Sequence, residues 1–354
     1  MNILILISSL SFGGAEKQAV IDANLLSQYH KVFLGTFKDG PLEKNISNKV
    51  THILFKKDNY VFTAFRIIRF IRKNNINIVH SLLFASMVIS ALSSILVKIP
   101  VIWHFHSHEF DSPLKSQIAF KYLARLKGVK RILFVNNELK DFFIKRFNLP
   151  VQKLGILYNS STINNKNIFA KNNSDLVNIG FIGRLKDFKR VNYLLDLASY
   201  LVKRNVSNFL IHIVGDGDRK KRLEKYALEF NVQDFVKFWG YQLNTEKLYE
   251  KFDIFVNPSS EECLSLALID AGMKGIPAIA FNVGGNSEII QNNITGYIVR
   301  TKEELFKKAL LLYKKNDLRK KLGENAIKIC KEKFSEETHL KRLLCEYNKC
   351  ITGK

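Results

Sequence analysis

The feature that most constrains this 354-residue chain is a recurring alternation: a short apolar run, a turn, then a stretch with helical periodicity. "NILILIS" opens the series. A strand wetted on one face alternates apolar with polar residues, whereas a strand buried on both faces reads as a continuous apolar run. "SFGG" then supplies a glycine turn and "AEKQAVIDANLLSQY" a helix. The apolar runs "KVFLGTF", "INIVHS", "PVIWHFH" and "RILFVNN" follow, with helical stretches between most of them. This order predicts a doubly wound α/β domain on a parallel sheet.

Six asparagines fall between Asn159 and Asn173, among Ser, Thr and Lys, and mark a linker. The alternation then restarts with "LVNIGFIG", "FLIHIVGDG", "FVKFWG", "IFVNPS", "PAIAFN" and "GYIV". The expected organisation is a first domain over 1–165, a second over 175–335, and a C-terminal helix over 336–354 packing back on the first. Open α/β sheets bind ligands at the carboxyl ends of their strands, so two facing domains imply a cleft there.

The net charge of +23 narrows the partners. Up to residue 170 there are 23 basic and 9 acidic residues, a net of +14; the remainder has 32 and 23, a net of +9. Anionic ligands are favoured: phosphates or an acidic membrane surface. Nucleic acid is disfavoured, because the basic runs lack interleaved aromatics and any known binding module. Cys263, Cys330, Cys345 and Cys350 form no CxxC pair, so neither a zinc finger nor a disulfide framework is expected. Ser81–Val97 is uncharged over seventeen residues but carries five serines, which favours a packed helix over a membrane span. In "VFTAFRIIRFIRK", Arg66, Arg69 and Lys73 share one face beside Phe62, Phe65 and Ile68. An ordinary surface helix and one lying on an anionic membrane are both compatible with it.

The most informative segment is "SSEECLSLALIDAGMKGIP". Glu262 and Asp270 frame an apolar run, eight residues or about 12 Å of helix apart. Cys263, Leu264 and Ser265 sit where a loop turns into a helix, and such an end attracts phosphate. Glu262 can accept from sugar hydroxyls; as a purely structural group it would cap the helix, with Asp270 merely solvated. "GFIGRLKDFKRVNYLLDL" ends a strand at Gly183 and begins a helix near Lys189 or Arg190. Arg184 and Lys189 then project from the loop as two cations suited to a diphosphate.

These segments together resemble glycosyltransferase family 4, whose members have the GT-B fold of two facing Rossmann-like domains. The shared pattern is an acid, seven residues, an acid, then Gly275-Ile276-Pro277 and a strand leading to Gly284, Gly285 and Glu288. Asp270 stands where the family usually has Glu, and Cys263 where it usually has Gly. The resemblance implies that Glu262 contacts the donor sugar and Asp270 the ribose, with Arg184 and Lys189 on the diphosphate. It also implies that Gly13 and Gly14 approach the donor phosphate or the acceptor. Of His104, His106 and His108, it selects His106 as the residue near the donor sugar, with His108 second. His80 is expected at a strand end on the rim of the cleft. "VGDGD" reads as a turn, with Asp218 near a helix N-cap.

The expected activity is a retaining, metal-independent transfer from a nucleotide sugar, with UDP the expected nucleotide. The acceptor is a saccharide or lipid-linked saccharide in capsule or lipopolysaccharide synthesis. No cofactor and no metal are expected, and the site is cytoplasmic, at the inner face of the membrane. The alternatives are a nucleotide-sugar epimerase of the same architecture, or a non-catalytic nucleic-acid or scaffold protein.

Overall fold

The computed structural model describes residues 1–56, 58–108, 114–163 and 176–352, with backbone alone for 114–118. Most of the asparagine-rich linker, residues 164–173, lies outside the described residues. The chain divides into two compact units, Met1–Ser160 with Glu336–Lys354, and Ser161–Ser335.

The first unit carries seven parallel strands: β1 (Asn2–Ile7), β2 (Lys31–Thr36), β3 (Val50–Leu54), β4 (Ile78–Leu82), β5 (Val101–Phe105), β6 (Val129–Phe134) and β7 (Leu154–Ile156). Their order is β3-β2-β1-β4-β5-β6-β7, so the winding reverses between β1 and β4. Between them run α1 (Gly14–Leu26), α2 (Tyr60–Lys73), α3 (Phe84–Val97), α4 (Leu114–Leu123) and α5 (Asn137–Phe147). The β4 and β5 side chains are all buried, as a strand covered on both faces requires.

The serine-rich apolar segment becomes α3. Ser90, Ser93 and Ser94 turn their hydroxyls back to Met87, Ile89 and Ala91 carbonyls at 2.7–2.9 Å. These bonds satisfy hydroxyls that the protein interior would otherwise strand. Among the described residues, no helix is long and apolar enough to cross a membrane.

In the second unit the strands are β8 (Val177–Ile182), β9 (Phe209–Val214), β10 (Val236–Gly240), β11 (Ile254–Asn257), β12 (Ala278–Phe281) and β13 (Gly296–Val299). Their order is β10-β9-β8-β11-β12-β13, with the reversal between β8 and β11. The helices are α6 (Asn192–Val202), α7 (Lys220–Glu229), α8 (Glu246–Tyr249), α9 (Leu266–Met273), α10 (Asn286–Ile289), α11 (Lys302–Lys314) and α12 (Asn316–Phe334). The last helix of the chain, α13 (Glu336–Thr352), belongs to the first unit and packs on α1, β5 and β6.

Two local expectations are corrected. The helix expected near Lys189 or Arg190 starts at Asn192; a 3-10 turn over Asp187–Lys189 and a left-handed Arg190 come first. Asp218 lies next to the N-cap of α7, as expected. The N-cap is Arg219 with no side-chain cap, and Asp216 accepts from Gly217 N–H. His80 is not at a rim: it lies within β4, wholly buried.

His212 on β9 ties the second sheet together. One ring nitrogen meets Asn178 Oδ1 at 2.8 Å, and the other accepts from the Trp239 indole at 3.0 Å. Burial, with Lys237 nearby, lowers its pKa to about 4 from the ordinary 6.5. Between those values the unfolded chain binds a proton that the folded chain refuses, so stability rises with pH. The thermal midpoint of the wild type should therefore fall more between pH 6.5 and pH 4 than that of His212→Gln. Parallel curves from Trp fluorescence would remove His212 from the account.

Candidate active site

Doubly wound sheets bind ligands where the strand order reverses. In the second unit that place is between β8 and β11, and the loops leaving those strands carry the sequence-identified residues. The two loops are fastened to each other. Ser260 N–H donates to Phe188 O at 2.7 Å, and Lys189 Nζ lies 2.5 Å from Glu262 Oε1. Arg184 sits on the same β8 loop, exposed, and its guanidinium has no ion pair or side-chain hydrogen bond among the described residues.

Glu262 is held on one side only. Its Oε1 faces Lys189, Ser259 Oγ at 2.9 Å and Asn257 Nδ2 at 3.1 Å. The Ser259 hydroxyl has one proton and divides it between Glu262 and Asn257 Oδ1 at 2.6 Å. Oε2 has no hydrogen bond among the described residues, so it remains an open acceptor on a fixed carboxylate.

Ser265 is the N-cap of α9, its hydroxyl accepting from Leu268 N–H, and Asn257 donates to that same hydroxyl. Cys263 is half-buried and Leu264 buried in the approach to the helix. The backbone there is pressed by the turn after β12. Gly285 N–H donates to Cys263 O at 2.7 Å. A Cβ on Gly284 would come within 1.8 Å of the Glu262 carbonyl, and its φ of 52° is left-handed, so both constraints demand glycine. Asp270, on α9, is buried and accepts from Ser161 Oγ at 2.5 Å.

In the first unit, Gly13 caps α1 without a side chain. A Cβ there would strike the Glu16 carboxylate, which folds back to meet Ser11 Oγ at 3.0 Å. Gly14 begins the helix. His106 follows the last residue of β5, and neither ring nitrogen has a partner among the described residues. Burial first, and His104 next to it, push its pKa well below the ordinary value, so the ring is neutral. His108 packs edge-on against Phe142.

Beneath His106 lies a polar network that residue spacing did not reveal. His104 Nε2 meets Leu157 O at 3.0 Å, and His80 Nδ1 meets Tyr347 OH at 2.9 Å. Burial lowers His80 to about 4 and His104 to about 3. Asp22 of α1 pairs with His339 of α13 at 2.7 Å. Burial opposes both charges, but each partner outweighs it, holding Asp22 below and His339 above the ordinary value.

Sequence reasoning also missed Asn257, Ser259 and Ser161. The one available signal was a polar Asn closing the buried strand "IFVN".

The paired parallel sheets, with cations and a fixed carboxylate at one switch point, define a GT-B glycosyltransferase fold. The comparisons agree. The family described as Glycosyltransferase Family 4 matches residues 12–160, and Glycosyl transferases group 1 matches residues 164–329. Together they take in most of the chain, which belongs to glycosyltransferase family 4.

A Campylobacter jejuni α-1,4-N-acetyl-D-galactosaminyltransferase acting on a diphospho-undecaprenol-linked acceptor is 28% identical, over 96% of both chains. An Escherichia coli α-1,3-galactosyltransferase that uses UDP-Gal is 23% identical; the match spans 65% of this chain and 64% of that protein. Anabaena HepE, solved with UDP, superposes with a TM-score of 0.85 at 18% identity, over 97% of this chain and 98% of that one.

Hydrogen bonds to charged groups contribute about 1.5–3 kcal/mol. Asn257→Ala should therefore lower kcat roughly ten- to a hundred-fold through misplacement of Glu262, with a smaller change in donor KM. A steady-state assay giving an unchanged kcat would contradict the positioning role.

Proposed function

We propose that this chain is a retaining glycosyltransferase. It takes a sugar from a nucleoside-diphosphate sugar, for which UDP is our choice of nucleotide. It passes the sugar to a hydroxyl of a saccharide or lipid-linked saccharide in bacterial surface polysaccharide synthesis, whether capsule or lipopolysaccharide. The observation that carries this reading is the convergence of Lys189, Arg184, Glu262 and the α9 N-terminus at the switch point of one sheet. The UDP-bound relative and the undecaprenol-linked acceptor named for the Campylobacter enzyme support it.

In this scheme the bond from the anomeric carbon to the diphosphate oxygen breaks, and negative charge grows on the leaving group. Arg184, Lys189 and the amides opening α9 meet that charge without a metal or other cofactor. Preorganised groups of this kind contribute several kcal/mol to the transition state. Glu262 Oε2 accepts from the sugar hydroxyls. The Asp270 end of α9 takes the ribose, and Gly13 and Gly14 give the phosphate or the acceptor close access to backbone. His106, whose ring nitrogens have no hydrogen-bond partner among the described residues, is our choice of residue for the donor sugar. The departing phosphate oxygen takes the acceptor proton as the new C–O bond forms on the face it leaves.

The first unit also offers a surface for an anionic membrane, which would place the enzyme at the cytoplasmic face. The α2 helix exposes Val61, Phe62 and Phe65 beside Arg66, Arg69, Arg72 and Lys73. Ile68, expected on this face, is buried in the unit. Exposed apolar groups at one end of a basic helix suit an acidic headgroup layer.

Lys189→Ala should lower kcat about 10²–10³-fold while circular dichroism stays unchanged. A wild-type rate would refute the diphosphate assignment. NMR of the product should show the donor's anomeric configuration, and donor alone should release no free epimer. Phe62→Ser with Phe65→Ser should cut sedimentation with phosphatidylglycerol vesicles severalfold; equal sedimentation would end the membrane reading.

A further inference from the structure

We infer that Asp22, His80 and His104 form a binding site for a divalent transition-metal ion inside the first unit, using no residue assigned to the sugar nucleotide. The three come from α1, β4 and β5, and all are fully buried. One ligand atom from each lies within 4.8 Å of the other two. The register of the sheet brings the imidazoles together: Leu82 pairs with His104 and His80 with Ile102, so the two rings sit diagonally on neighbouring strands and stack at 5.5 Å.

Each side chain has one polar atom engaged and one left over. Asp22 Oδ1 receives Gln18 Nε2 and His339 Nε2, both at 2.7 Å. His80 Nδ1 faces Tyr347 OH, and His104 Nε2 faces the Leu157 carbonyl. Asp22 Oδ2, His80 Nε2 and His104 Nδ1 are buried without a hydrogen-bond partner among the described residues. Because a carbonyl only accepts, His104 must carry its proton on Nε2, which leaves Nδ1 as a bare lone pair. With Nδ1–H given to Tyr347, His80 likewise presents Nε2 as a lone pair.

This is the arrangement in which metal-binding histidines are found: one nitrogen on the ion, the other oriented by a carbonyl or oxygen partner. Two imidazoles and one carboxylate are a ligand set for zinc or a similar first-row ion, leaving a further position for water. Leaving three buried polar atoms unpaired is costly, and an ion removes that cost at once. An ion here joins α1 to β4 and β5. Through His339 and Tyr347 it also fastens α13 to the sheet.

The experiment uses the full chain, stripped with a chelator and then titrated with zinc or cobalt. The group Asp39, Glu43 and half-buried His52 is the other place among the described residues where three ligands gather, so His52→Ala serves as the background. One tightly held equivalent is expected by mass spectrometry in both the wild type and His52→Ala. The cobalt form should absorb in the visible d–d region with no thiolate charge-transfer band. Zinc should raise the unfolding midpoint by several degrees, since binding stabilises only the folded state. His80→Gln and Asp22→Asn should each weaken binding at least tenfold. Two variants are used because either one can fail to fold, and the cobalt spectrum of the wild type identifies nitrogen and oxygen ligands independently of both. A chain that holds no stoichiometric metal overturns the proposal. Metal retained in both folded variants, lost in His52→Ala, or bound by thiolate overturns it equally.

Discussion

The ion pair between Lys189 and Glu262 is the contact on which the proposed donor site depends. It joins the loop after β8 to the loop after β11 across the reversal of the second sheet. Without it, the charges on these two short loops would have no direct tie. With it, and with Ser260 N–H on the Phe188 carbonyl, the cation and carboxylate are placed before any ligand arrives. Preorganisation of this kind matters because groups already in position need no rearrangement as charge develops.

The same pair explains why the carboxylate is polarised in its contacts. Lys189, Asn257 and Ser259 all crowd one oxygen, and the other is left to a ligand. The Gly284 turn closes from below, where no side chain fits against the Glu262 carbonyl. On the proposed reading the diphosphate is met by Arg184 and by Lys189, which already has a partner. A bound donor would then share Lys189 with Glu262, and this would link recognition of the phosphate to recognition of the sugar.

Much of the architecture was legible because parallel strands buried on both faces write themselves as unbroken apolar runs. The two strands that escaped, β3 with "VTHIL" and β7 with "LGI", are the edges of the first sheet. Edge strands are covered less completely, and their sequences lose the continuous apolar signature. In the site, Glu262, Lys189 and the α9 cap were readable because local sequence places each at the end of a strand or the start of a helix. The partners that hold them were not. Ser161 reaches Asp270 across 109 positions, and His339 reaches Asp22 across 317. No spacing rule covers such distances. For the same reason spacing does not reveal that Asp22 of α1 gathers with His104 of "WHFHSH".

The most direct test of the account is calorimetric titration with UDP and with uridine, on the wild type and on the Arg184→Ala, Lys189→Ala double variant. The account predicts that the wild type binds UDP at least tenfold more tightly than uridine, and that the double variant binds both alike. Equal affinities in the wild type, or an undiminished preference for UDP in the double variant, would show that these cations do not hold a diphosphate.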